Sequence, residues 1–329
     1  MGFGDFSSLC SKTPLPLCPL VGTVNPITGT HYTQANCYAR AIELANTVIF
    51  EPGVGFAHIG ALIMTMIMIL HVRSKFTAVG RKEITTFFYS YALLTMASLL
   101  IDCGVVPPRS SSYPYFVAVQ LGLVSATCIC LMINGFVGFQ LYEDGTTLSV
   151  WLLRVCSFTM FVISFAVALL TFKGWAGLGP ENTVGLFVVV YVFSALFLAV
   201  YVVMQTLLVV GTLQDWWPLW NIGAGVAAIV ISQVLLYVFS ETICDGVQHY
   251  LDGLFFATLL NLLAVMMVYK FWDSITQEDL EFSVGHRQNN WEVKELLPDE
   301  DRRNTMYQDS DYDTSMFSRP VHRASTYGY

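Results

Sequence analysis

Seven stretches of the chain are apolar for long enough to cross a bilayer, and polar residues collect in the segments between them. They run approximately over 47–70, 84–104, 115–141, 149–172, 184–210, 219–239 and 249–271. Each supplies the roughly 20 residues that span about 30 Å of hydrocarbon. The pattern predicts an all-α membrane protein with a seven-transmembrane helix bundle over 47–271. A polar N-terminal tail occupies 1–46 and an acidic tail occupies 272–329.

Composition changes the picture only at the C-terminal end. The chain is 55% hydrophobic and 12% charged, and 12% is low beside the roughly 25% of an average soluble domain. Of the 24 acidic residues, twelve follow residue 271, as do six of the 16 basic ones, so most of the net charge of −8 belongs to the tail. Gln277-Glu278-Asp279-Leu280-Glu281 and Pro298-Asp299-Glu300-Asp301 show no sustained amphipathic period, which predicts disorder over 272–329. Asp279 and Glu281 form an acidic-x-acidic triplet of the kind that vesicle-coat adaptors read. There is no basic face for nucleic acid.

Lys and Arg set the orientation. Arg73, Lys75, Arg81 and Lys82 crowd the loop after the first span, which is therefore expected in the cytosol. With seven spans, the N-terminus is expected in the lumen and the C-terminus in the cytosol. No apolar h-region precedes the first span, so that span is expected to act as the targeting signal. No Asn-x-Ser/Thr acceptor occurs. Trp151, Trp175, Trp216, Trp217, Trp220 and Trp272 cluster at span ends, as an interfacial belt would.

Eight cysteines divide cleanly. Cys128, Cys130 and Cys156 fall inside spans, whereas Cys10, Cys18, Cys37, Cys103 and Cys244 all fall on the face assigned to the lumen. An oxidising compartment favours disulfides there. Cys10 and Cys18 flank a turn-prone stretch, and Cys103 and Cys244 lie at two helix ends that a bridge would join. Spacing alone leaves the connectivity open, and five is odd.

Ionisable residues in or near the spans are few: Glu51, His58, Asp102, Arg154, His249 and Asp252, mostly within a turn or two of an end. Gln120, Asn134, Gln205, Gln233 and Asn261 are mid-span amides suited to bonding across helices. Among them, Asn134, Gln205 and Asn261 are candidates to face a partner. Gly135, Gly138 and the Gly223–Ala228 run suit close helix packing.

The chemistry needed for an enzyme is missing. There is no His-Glu-x-x-His helix, no Gly-x-Ser-x-Gly elbow and no P-loop. The histidines ahead of the tail are dispersed, so no catalytic residue, metal site or cofactor site is expected. A transporter is disfavoured by the lack of an inverted repeat. A seven-transmembrane ligand-sensing receptor is the alternative reading. Against it, the third span ends Gly-Phe-Gln-Leu-Tyr-Glu-Asp-Gly rather than with Asp-Arg-Tyr, and the seventh has no Asn-Pro-x-x-Tyr.

The N-terminal segments carry a family likeness. Phe3-Gly4-Asp5-Phe6, Cys10, Pro14-Leu15-Pro16-Leu17-Cys18-Pro19-Leu20-Val21-Gly22, Ala45-Asn46-Thr47-Val48-Ile49-Phe50-Glu51-Pro52 and Thr242-Ile243-Cys244-Asp245-Gly246 resemble fungal chitin synthase export chaperones. The resemblance covers about residues 1–275. It implies a multi-pass protein of the endoplasmic reticulum membrane, without catalysis, whose client is a chitin synthase and whose role supports cell-wall chitin synthesis.

Overall fold

The structure, a computed structural model, describes residues 4, 6–22, 33, 35–44, 47–76, 78–139, 145–175, 177–212 and 216–295, with backbone alone at 44, 47, 212 and 277–295. The chain divides into two compact units, Met1–Ser274 and Ile275–Tyr329. The first holds the helical bundle.

Among the described residues, seven helical segments are long and apolar enough to cross a membrane. They are α2 (Pro52–Ser74), α3 (Arg81–Asp102), α4 (Tyr113–Val137), α5 (Thr147–Lys173), the composite span Val184–Gly211, α8 (Trp217–Tyr237) and the first part of α10 (Gly253–Glu295). The composite span joins α6 (Val184–Phe187), one π-helical turn (Val188–Val192) and α7 (Phe193–Thr212). Short elements surround them: α1 (Ser7–Lys12), the hairpin of β1 (Ile42–Leu44) and β2 (Thr47–Ile49), and α9 (Ser240–Gly246).

Two boundaries differ from the sequence reading. The first span opens at Pro52 and not at Thr47, because Thr47-Val48-Ile49 pairs antiparallel with Ile42–Leu44. β-Branched residues favour the strand, and Pro52 at the first helical position pre-sets the helix with no N–H to satisfy. The last helix does not stop near Phe271 but continues through Glu295, which replaces the disorder expected for 272–295 with helix. Extending an existing helix adds one hydrogen bond per residue without a new nucleation cost, so Gln, Glu and Lys prolong it readily. The rest of the expected disordered tail, 296–329, lies outside the described residues.

α4 is the central helix, packed against α3, α5 and α7. Small residues set the close approaches. A Cβ on Gly138 would lie 2.8 Å from Leu208 of α7, and one on Gly122 would lie 2.9 Å from Phe161 of α5. Two apolar cores result. One, around Phe6, Leu17, Val117, Ala168 and Leu186, lies where the N-terminal segment meets the helices, here called the plug end. The other, around Phe87, Phe88, Leu131, Leu153 and Tyr269, lies at the opposite end.

Candidate functional site

The N-terminal segment is a packed plug, a role its polarity and prolines did not suggest. Pro14, Pro16 and Pro19 rule out a long helix, so the backbone turns repeatedly and directs Phe6, Cys10, Leu15, Leu17 and Val21 inward. A Cys10–Cys18 disulfide closes the turn, with Cα atoms 5.5 Å apart. Hydrogen bonds dock it on the bundle, among them Gly22 N donating to the Pro180 carbonyl at 3.0 Å. Thr13 Oγ1 donates to the Leu236 carbonyl at 2.8 Å, Tyr113 Oη donates to Pro16 at 2.7 Å, and Thr183 Oγ1 donates to Gly4 at 2.7 Å. Phe6 lies against Phe187 and Tyr191, at centroid distances of 5.9 and 5.6 Å, and those two rings stack on one another at the π-helical turn. The sequence clue was the run of apolar residues between prolines, bracketed by two cysteines.

Below the plug lies a half-enclosed cavity of about 630 Å³, bounded by Leu15–Leu17 and by α3, α4, α7, α8 and α10. Its wall is mainly aliphatic and aromatic, with the His58 and Asp102 side chains at the plug end, and several of its polar groups bond to neighbours. Gln120 Nε2 donates to Ser98 at 2.9 Å, Ser232 Oγ donates to Asn261 at 3.0 Å, and Gln233 Nε2 donates to Ser232 at 3.3 Å.

The three amides proposed to face a partner differ in exposure, Gln205 being buried and Asn134 and Asn261 half-buried. Gln205 is buried beside Gly135, Asn134 donates to its own helix at the Cys130 carbonyl, and Asn261 lines the cavity. An unsatisfied amide in hydrocarbon costs several kcal/mol, so the bundle satisfies these groups internally.

Four ionisable groups converge at the plug end. His58 Nε2 and Asp102 Oδ2 are 2.9 Å apart, linking α2 to α3. Glu51 adopts a left-handed backbone (φ 44°) ahead of Pro52. Asp252 is fully buried and caps α10, its Oδ1 accepting the Phe255 N–H at 3.2 Å. Burial holds the Glu51 carboxyl well above the usual carboxylate range, and the charges of Asp252 and Asp102 push it further. Burial likewise raises Asp252 from 3.8 to about 6; the Phe255 N–H opposes the rise and Asp102 adds to it. A buried acid with a raised pKa binds a proton on folding, so stability is gained as pH falls from about 6 toward 4 and is lost as it rises back. Asp252→Asn keeps the cap and removes the charge. Its melting temperature should exceed that of the parent at neutral pH and vary less between pH 4 and 7. An unchanged pH profile would show that Asp252 does not titrate in this range.

A second disulfide, Cys37–Cys244, fastens the chain ahead of β1 to α9, with Cα atoms 6.1 Å apart. This corrects the expected bridge between Cys103 and Cys244. Cys103 is free, since Cys244 is bonded to Cys37, and its sulfur packs against α2 at Gly55, where a Cβ would lie 2.7 Å away. Arg40 N bonds the His249 carbonyl, and the Arg40 guanidinium lies 5.5 Å from the Tyr250 ring, so the segment around Cys37 is held over α9. His249 Nδ1 is 3.1 Å from Cys37 Sγ, and Cys37, Cys244 and His249 have a spacing that suits a metal. Both sulfurs are committed to the disulfide, which leaves His249 as the single remaining ligand.

The opposite end is tied together by polar contacts on loop residues. Glu83, fully buried, accepts from Gly145 N at 2.9 Å and from Ser149 Oγ at 3.0 Å, which anchors the start of α5 to α3. Lys75 pairs with Asp273, His71 bonds Tyr269, and Trp272 Nε1 donates to the Val79 carbonyl at 3.0 Å. Asp279 and Glu281 fall on the helical backbone of α10, and their side chains lie outside the described residues.

Known proteins supply the context. The Chitin synthase export chaperone family model matches residues 2–286. The chain is 67% identical to a chitin synthase export chaperone of Aspergillus clavatus, over 100% of this chain and 99% of that one. It is also 67% identical to the Aspergillus fumigatus protein, again over 100% and 99%, and 64% identical to the Neurospora crassa protein over 97% and 90%. No solved structure matches this one. Nothing in these matches supports a receptor. With a family match over nearly the whole bundle and relatives alike from end to end, the chain belongs to the chitin synthase export chaperone family.

Proposed function

We propose that this protein is a non-enzymatic membrane chaperone that assists the folding and export of a chitin synthase from the endoplasmic reticulum, in support of cell-wall chitin synthesis. The observation that carries the reading is the end-to-end identity to relatives named for that role. The geometry is consistent with it. The outer faces of the bundle are broad and apolar, as at Phe56, Ile63 and Leu70 of α2 and Trp151, Val155 and Phe158 of α5. The contact with a client helix is made by these packing faces, where dispersion and displaced lipid drive association.

Charge supports an orientation with the plug end in the lumen. Arg73, Lys75, Arg81, Lys82, Arg154 and Lys270 lie toward the opposite end, four of them in or beside the loop between α2 and α3, against a thinner spread of Lys12, Arg40, Arg109 and Lys173 toward the plug end. The tail past Phe271 then enters the cytosol, where Asp279 and Glu281 are the candidate contact for a coat adaptor.

Deleting the protein should trap one chitin synthase in the endoplasmic reticulum while other secretory cargo moves normally, and the client should co-purify with the protein in mild detergent. Normal surface delivery of every chitin synthase in the deletion strain would overturn the reading. The Asp279→Ala/Glu281→Ala protein, followed in the same delivery assay, tests the adaptor contact: full delivery removes it. In sealed vesicles, an impermeant thiol reagent added from the cytosolic side should leave Cys103 unlabelled. Labelling from that side would invert the topology.

A further inference from the structure

We propose that the cavity beneath the plug is a lipid-binding site that holds the hydrocarbon of one membrane lipid, either a sterol-sized body or a single long acyl chain. Volume sets the size of the occupant. An apolar cavity of about 150 Å³ stays dry and takes one benzene, so 630 Å³ corresponds to about 25 carbon atoms. That is the scale of a sterol or an extended acyl chain, and well above a solvent-sized guest.

Water is the poorer filler. The same volume would hold about 20 waters at about 30 Å³ each, and each would need two to four polar partners. The wall provides few of them: it is mainly aliphatic and aromatic, His58 and Asp102 pair with each other, Gln120 is bonded to Ser98, and Asn261 is bonded to Ser232. A peptide helix does not fit either: its diameter of about 10–12 Å exceeds what 630 Å³ accommodates over even two turns. The position of the cavity favours lipid as well. It is bounded by α3, α4, α7, α8 and α10, all membrane spans, and Leu15–Leu17 of the plug covers its end. The surrounding solvent at that depth is hydrocarbon.

The site also gives the plug a second role. Leu15, Pro16 and Leu17 contribute to the cavity wall while Cys10–Cys18 closes the turn that presents them, so plug and occupant are packed against each other. Loss of either is expected to loosen the other.

The test uses the full chain in phosphatidylcholine nanodiscs, with a photoreactive sterol and a photoreactive fatty acid in separate arms. Labels should map to cavity residues such as Val226 and Thr258, and the arm that labels identifies which kind of lipid binds. Native mass spectrometry should show one lipid retained per chain after detergent extraction. Val226→Trp and Thr258→Phe, on different helices, should each fill part of the space and abolish most of the labelling. Labelling confined to outward residues such as Leu259 would overturn the proposal, as would undiminished cavity labelling in a folded Val226→Trp protein. Absence of both label and retained lipid in the parent would overturn it without any variant.

Discussion

Phe6→Ala should loosen the plug and destabilise its attachment by about 3–5 kcal/mol, the range for removing a buried Phe from a packed site. Phe6 is 1% exposed and meets the stacked pair of Phe187 and Tyr191, so the substitution leaves a void bordered by two rings that the π-helical turn holds in place. The rest of the plug is held by the inward Cys10, Leu15, Leu17 and Val21 and by backbone-directed hydrogen bonds, each worth about 1 kcal/mol net. A loss of 3–5 kcal/mol is therefore large enough to loosen the segment while the spans stay inserted. Limited proteolysis should cut the variant ahead of residue 22, with the remaining bundle intact and its melting temperature lowered. Equal protease resistance in parent and variant would show that Phe6 is not the anchor.

The second large effect is expected from the double substitution Cys37→Ser/Cys244→Ser. The cysteines are 207 residues apart, and the chain-entropy relation gives about 5 kcal/mol for closing a loop of that length. That figure is an upper value for this protein, because spans that remain in the membrane already limit the unfolded chain, so about 2–4 kcal/mol is expected. Breaking Cys10–Cys18, with a separation of eight, should cost less by the same relation. Melting curves of the two double variants in one detergent decide the order. A larger loss for Cys10→Ser/Cys18→Ser would mean that local packing strain, and not loop closure, governs both bridges. Reduction of the parent should cost at least as much as the larger single loss, because it opens both bridges.

Sequence legibility followed the range of the interaction concerned. Span positions were readable because crossing hydrocarbon is a local requirement: about 20 apolar residues suffice wherever their neighbours lie. The errors at Thr47 and beyond Phe271 arose where hydropathy does not discriminate. A β-branched strand and a helix start look equally apolar, and a polar helix continuing from a span looks like a disordered tail. Cys10 and Cys18 were easy to pair in outline because they are neighbours along the chain. Cys37 and Cys244 were not, since only the packing of α9 against the N-terminal chain brings them together.

The amides show the same limit. Hydropathy placed Asn134, Gln205 and Asn261 inside the membrane but carried no information on which way each points. In lipid an unpaired amide is costly, and only the arrangement of neighbouring helices decides whether a partner such as Ser232 is within reach. The sequence by itself determined the number and composition of the spans, the acidic tail and the family likeness, all of which depend on residues read in order. Tertiary structure alone decided that the N-terminal tail is a plug, that His58, Asp102, Glu51 and Asp252 gather beneath it, and that a cavity of about 630 Å³ remains between the two cores. Those features arise from contacts between segments tens to hundreds of residues apart, and no local pattern of polarity encodes such distances.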